Sequence, residues 1–262
     1  MSRTRVIPVL LVSDEGLVKT RRFADRRYLG DPINAVKIFN DKMADELVLL
    51  DIDATARGGA PDFDRVDEMV GEAFMPVAYG GGVRSVEHFA QLFRRGVEKV
   101  VVNTAAFDSP QLVEQAARRF GSQAVVVSLD VRRTLWGKAR CYTAGGRRRT
   151  RLDPVHAARH FESLGAGELI VTAIECEGTF SGYDLDLLAA VAGAVGIPVI
   201  AHGGAGRIEH LVQAVEKAGC QAVAAGSMFV FAAQGQGVLI TYPSPAELQR
   251  GLWERTSAAG RA

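Results

Sequence analysis

The chain has 262 residues, of which 48% are hydrophobic, enough to fill the core of one large domain or two small ones. A balance of 31 basic against 30 acidic residues leaves no overall field to attract nucleic acid or an anionic membrane. Cys141, Cys176 and Cys220 fit neither a disulfide framework nor metal-ligand spacing, and the opening MSRTR leads into an apolar run soon broken by Asp14 and Glu15. A cytoplasmic protein without a secretory signal, spanning helix or metal cluster is therefore expected.

Eight short β-rich runs follow one another, at 6–12, 46–51, 76–79, 99–103, 124–130, 168–174, 197–201 and 222–226. Several, such as AVVVSLD, are almost continuously apolar, and amphipathic stretches such as SPQLVEQAARRF separate them. That alternation predicts a parallel sheet covered by helices, and eight units in this length match a (β/α)₈ TIM barrel better than an open sheet. The whole chain, 1–262, reads as one barrel domain. The basic run GRRRTR at 146–151 reads as a solvated loop rather than a polyanion site.

The two halves resemble each other. PVAYGGGVRSVEHFAQ and PVIAHGGAGRIEHLVQ pair Gly81 with Gly203, Gly82 with Gly204 and His88 with His210, each 122 residues apart. ELVLLDIDAT and ELIVTAIECEGT pair Asp51 with Glu175, Asp53 with Glu177 and Thr55 with Thr179 at a separation of 124. A doubled half-barrel, about 1–120 and 121–250, is implied, with equivalent groups at equal heights. Aligning the first strand of each half sets Leu11 against Asp130 and Lys19 against Lys138, 119 residues apart. Symmetry predicts an acid at position 11, and leucine stands there.

Residues at the carboxyl ends of barrel strands line the active face. Gly81, Gly82, Gly203 and Gly204 occupy such places, where glycine lets backbone N–H groups approach an anion. Asn103 and Thr104 after the fourth strand would complete one anion site, and Gly226 and Ser227 after the eighth a second. Asp130 closes an apolar run and is the best general acid/base candidate, since a carboxylate there is costly to bury unless paired or used. Asp51, Asp53, Glu175 and Glu177 ring the same mouth, some of them as structural acceptors. His202 either contacts ligand or packs satisfied in the core, while His88, His156, His160 and His210 read as solvent-facing helical residues. At the opposite end Arg5, Glu46, Lys99 and Glu168 open alternately spaced strands and could form a ring of ion pairs, or stand as solvated charges. No nucleotide loop is visible and no cofactor is expected, so ATP, if used, belongs to a partner.

In order along the chain, RVIPVLLV, GLVKT, GDPINAVKIFNDK, DELVLLDIDAT, YGGGVRS, KVVVNTAAF, FGSQAVVVSLD, GAGELIVTAIECEGTFSGYD and AHGGAGRIEH resemble the cyclase subunit of imidazole glycerol phosphate synthase. The resemblance implies a partner glutaminase at the N-terminal barrel face and ammonia passing along the barrel axis to a phosphorylated substrate at the mouth. It makes Arg5, Glu46, Lys99 and Glu168 the ammonia gate, Asp130 one of two catalytic aspartates and Lys19 the lysine of the first loop. It also makes the turn Glu177, Gly178 and Thr179 part of the ligand site.

Leu11 stands where that family has its other catalytic aspartate. With the start IPVLLV and the later VLITYPSPAEL, the pattern is similar to cyclase-like paralogues associated with surface-polysaccharide genes. These work with a glutaminase and an ATP-dependent sugar amidotransferase to convert an acetamido into an acetamidino group. The leading expectation is ammonia delivery for such an amidation. The alternatives are a working histidine-pathway cyclase, with Glu15, Asp14 or water replacing the lost aspartate, and a non-catalytic scaffold that activates the glutaminase.

Overall fold

A computed structural model describes residues 3–134, 136–233 and 237–259. Eight parallel strands form the barrel: Arg5–Ser13, Leu47–Asp51, Val77–Gly80, Lys99–Val102, Val125–Arg133, Glu168–Ala173, Val199–His202 and Ala222–Ala225. Each pairs with the next, and the eighth pairs with the first through Arg5↔Ala222 to Pro8↔Ala225, so the sheet closes. This is the expected (β/α)₈ barrel, and its strands agree with the sequence reading to within one or two residues at most ends, although the first and fifth run on into ribbons.

Strand side chains alternate between two apolar cores. Facing out toward the helices is a large cluster that includes Val6, Leu10, Leu47, Leu49, Val127 and Leu169. Facing in is a smaller cluster that includes Ile7, Val9, Leu11, Val48, Val126 and Ile170. Helix starts repeat between the halves: Asp31 and Asp153 each cap a helix that begins with proline, and Asp62 and Asp184 cap the helices Phe63–Gly71 and Leu185–Ala192. These carboxylates accept N–H groups that the first helical turn leaves unpaired.

Two antiparallel ribbons depart from the plain alternation. The first strand continues into Gly16–Arg21 and Ala24–Gly30, and the fifth into Ala139–Thr143 and Arg148–Arg149. The GRRRTR run expected as a loop therefore supplies the short outer strand Arg148–Arg149. After the barrel, a helical segment from Pro245 to Ala259 packs back on it, with Tyr242 Oη donating to Val6 O and Trp253 Nε1 to Thr4 O, both at 2.9 Å. Among the described residues, no helix is long and apolar enough to cross a membrane.

Candidate active site

Asp130 lies at the mouth, on the inward face of the fifth strand, and is 9% exposed. Its side-chain partner is Ser128, whose Oγ donates to Oδ1 at 3.0 Å. Burial raises its pKa to about 7, and the Ser128 hydrogen bond only partly offsets this. A carboxyl that titrates near neutrality can hold or release a proton at the mouth.

Leu11 also points inward. It belongs to the inner apolar cluster and is 8% exposed. The matching strand tips thus face the same space, one ionisable and one inert.

Lys19 crosses from the first ribbon into the mouth, where it forms a buried ion pair with Glu177 and donates to its neighbour's carbonyl, Thr20 O, at 3.0 Å. Gly226 gives it room, since a Cβ there would lie 2.8 Å from Lys19 Cε. The ribbon tip is tied across the mouth, with Arg22 N donating to Glu177 O at 2.9 Å and Arg22 Nε to Glu175 O at 3.0 Å.

His202 Nδ1 pairs with Thr172 Oγ1 at 3.0 Å. Burial, with a further contribution from the Lys19 charge, lowers the His202 pKa to about 3, so the ring is neutral. Among the described residues, three buried side-chain atoms lack a hydrogen-bond partner: Glu177 Oε2, His202 Nε2 and Ser227 Oγ. Buried polar groups are nearly always satisfied, so three orphans in one mouth point to a polar ligand.

The second glycine pair is backbone-limited. Gly204 has φ +110°, and a Cβ on it would lie 2.1 Å from Gly182 O, so only glycine fits. Gly81, Gly82 and Gly203 hold the equivalent turns after the third and seventh strands. The first-half polar groups are spent within the protein: Asn103 Nδ2 donates to Ser128 O at 2.9 Å and Tyr142 O at 3.2 Å, and Thr104 Oγ1 accepts from Ala144 N at 3.0 Å. Gly178, with φ +76°, packs under the first ribbon, and Thr179 Oγ1 donates to Cys176 O at 2.6 Å. The two halves have therefore diverged, with orphan atoms in the second and a braced ribbon in the first.

The other ring carboxylates are structural. Asp51 accepts from Asp53 N, Ala54 N and Arg57 Nη2 at 3.0, 2.9 and 2.7 Å, and Asp53 is paired with Arg26 at 2.6 Å. Glu175 stands 3.6 Å from Arg132. His210 differs from its expected solvent-facing placement: it is buried, and its Nδ1 accepts from Gly206 N at 3.1 Å.

At the opposite end the four charged strand openers form a closed circuit. Arg5 pairs with Glu46 and, at 2.6 Å, with Glu168, while Lys99 reaches Glu46 at 3.1 Å and Glu168 at 3.0 Å. Each cation holds both anions, which spans the barrel floor.

The family model described as "Histidine biosynthesis protein" matches residues 5–234. The chain belongs to this family. It is 43% identical over 253 residues to a Vibrio vulnificus (strain YJ016) protein provisionally named imidazole glycerol phosphate synthase subunit hisF3, covering 96% of this chain and 97% of the relative. Identity is 45% over 251 residues, covering 96% of this chain and 100% of the relative, to a similarly named hisF2 of Pseudomonas aeruginosa (strain PAO1). It is 38% over 245 residues, covering 93% and 96%, to a HisF subunit, again provisionally named, of Leptospira interrogans. As a member of the histidine biosynthesis family, this chain combines a buried carboxyl at the tip of the fifth strand with an apolar side chain at the first.

Proposed function

We propose that this protein is a cyclase-like synthase subunit that receives ammonia from a glutaminase at its N-terminal face and delivers it at the mouth for amidation of an acetamido sugar. The observation that carries this reading is the closed Arg5–Glu46–Lys99–Glu168 circuit below a barrel interior whose inward residues include Ile7, Val48, Ala78, Val101, Val126 and Ala222. Neutral NH₃ crosses such a lining without the desolvation cost that ammonium would meet, so a floor of paired charges over an apolar interior favours the neutral form. Leu11 extends this apolar surface to the mouth, where Asp130 titrates near neutrality.

Glutaminase docking is supported by Met43 and Phe74, large apolar side chains left exposed in the loops that lead into the second and third barrel strands. Asn40 braces these loops, donating to Glu72 O at 2.5 Å and accepting from Phe74 N at 2.9 Å. The likeness to synthase subunits supports the same kind of partner. An ATP-dependent sugar amidotransferase would activate the acetamido oxygen, and the orphan atoms of Glu177, His202 and Ser227 are suited to a phosphorylated or sugar ligand.

The test is the reconstituted complex with glutamine. Lys99→Ala should leave glutamine hydrolysis running while amidated product falls about tenfold or more, with recovery on added ammonium, because the circuit of paired charges that closes the floor is opened at the residue that joins Glu46 to Glu168 opposite Arg5. Equal product from wild type and variant would make the barrel a scaffold.

A second reading, histidine-pathway cyclisation, is favoured by the names of the relatives and by the retained Asp130. Complementation of a cyclase-deficient strain supplied with ammonium separates the two. Growth supports the cyclase; no growth, combined with cyclase activity gained by Leu11→Asp, supports the amidation reading.

A further inference from the structure

The ribbon that follows the fifth strand builds a second concavity, which the reading above leaves unused. Directly paired residues of an antiparallel ladder share a face, as do residues two apart along a strand. The register Asp130↔Tyr142, Arg132↔Arg140 and Tyr142↔Arg149 therefore puts Arg132, Arg140 and Arg149 on the face that carries Asp130, which is the mouth side. A cleft of about 510 Å³ lies there, lined in part by Trp136, Lys138, Arg140, Arg149 and Arg151.

The charges of this cleft differ from those around it. Arg133 pairs with Asp184 at 2.9 Å, Arg132 approaches Glu175 at 3.6 Å, and Arg148 pairs with Asp108. Among the described residues, by contrast, Lys138, Arg140, Arg149 and Arg151 have no carboxylate within ion-pair reach. Four like charges in one concavity repel one another unless an anion joins them. Trp136, 90% exposed, stands at the same cleft and offers a flat aromatic face. Arginine forks suit phosphate oxygens, and an aromatic face suits a stacked base.

We infer that this ribbon binds a nucleoside diphosphate, the base stacked on Trp136 and the diphosphate held by Lys138, Arg140, Arg149 and Arg151. Along the strand Asp130 lies four residues from Thr134, which also lines the cleft, roughly 13 Å at the usual rise. A group esterified to the terminal phosphate would then reach toward Asp130. Together with the proposed amidation, on which this last step rests, the substrate class becomes a nucleotide-linked acetamido sugar. The nucleotide site itself stands without that reading.

Trp136 supplies the readout, because the other tryptophan, Trp253, is 7% exposed and covered by Arg3. The full chain is titrated with UDP, GDP, CDP and ADP, with inorganic pyrophosphate and polyglutamate as comparisons, by fluorescence and by calorimetry. Saturable quenching by at least one nucleotide, about tenfold tighter than pyrophosphate, is expected, and Trp136→Ala should remove that advantage in the calorimeter. Arg140→Ala with Arg149→Ala should weaken binding about tenfold or more. Lys138→Gln with Arg151→Gln gives a second variant should the first not fold, and far-ultraviolet circular dichroism checks both.

The inference is overturned if no nucleotide saturates the signal, or if pyrophosphate binds as tightly as every nucleotide. Tighter binding of polyglutamate, displacing all nucleotides, would also overturn it, making the cleft a dock for an acidic protein. Nucleotide binding without ammonia transfer would sink only the proposed function, and ammonia transfer without nucleotide binding only this inference.

Discussion

The first and fifth barrel strands end in the same way in backbone terms and in opposite ways chemically. Each outruns the barrel wall and turns into an antiparallel ribbon, and each presents one inward side chain at the mouth, Leu11 in one case and Asp130 in the other. The sequence repeat aligns Lys19 with Lys138, but the ladders do not. Val18 pairs with Leu11 whereas Tyr142 pairs with Asp130, so Thr143 is the counterpart of Lys19, and Lys138 sits opposite Thr134 near the turn of a longer hairpin. Lys19 is buried against Glu177, whereas Lys138 is exposed and lines the cleft of the second ribbon. A duplicated scaffold thus preserves heights and directions while the side chains at those heights are free to divide the work. The first half supplies a brace and an apolar wall, and the second the buried carboxyl of Asp130.

The strongest way to break this comparison is to remove the one acid. Asp130→Asn should lower the rate of product formation by about 10²–10⁴ while leaving ammonia release from glutamine unchanged, which is the usual contribution of a positioned acid or base. A fall in both would mean that Asp130 shapes the barrel rather than the chemistry. The same variant has a signature in stability. The folded pKa of Asp130 is raised to about 7, above that of an unfolded aspartate, so between about pH 4 and 7 the folded state holds a proton that the unfolded state has lost. Wild-type stability should therefore fall as pH rises through that window, by on the order of 4 kcal/mol at most, and level off above it. Asp130→Asn should lose this slope in urea titrations repeated across the window, and an unchanged slope would assign it elsewhere.

Lys19 and Glu177 sharpen the other side of the comparison. Removing one partner leaves a buried charge alone, so Lys19→Met or Glu177→Gln should cost about 3–5 kcal/mol in denaturant unfolding. The double variant should recover much of that loss, because no unpaired charge remains. Additive losses would show that the two side chains do not form one unit.

Much of this was legible in the sequence, for identifiable reasons. Strands such as Val125–Arg133 announce themselves because burial on both faces demands near-continuous apolar residues, and the paired Asp-Pro helix starts are visible as repeats. The ribbons were harder to see. The first turns at Arg22 and Phe23, both with positive φ and neither of them glycine or asparagine, so the usual hairpin signal is missing. In the second, the chain turns at Ala144, Gly145 and Gly146, all with positive φ, and the arginines after it look like a solvated loop until pairing places Arg149 opposite Tyr142. The burial of His210 is not legible locally, because its ring packs against Gly182 in the turn after the sixth strand and accepts from Gly206 N, contacts that no helical pattern reveals. The partnering of Lys19 with Glu177 spans 158 residues and was invisible for the same reason.

The smallest expected effect completes the comparison. Lys138→Met alters the lysine that the sequence repeat aligns with Lys19, at an exposed position near the turn of the second ribbon, so unfolding free energy should stay within about 0.5 kcal/mol of wild type. Paired with Lys19→Met in the same denaturant series, it isolates context, since both variants delete one lysine charge and add the same thioether. A loss at Lys138 matching that at Lys19 would mean that the two ribbons are braced alike. Near-silence at Lys138 would place the whole difference in the carboxylate that only the first ribbon meets, because a charge is costly to orphan only where the fold has already excluded water from it.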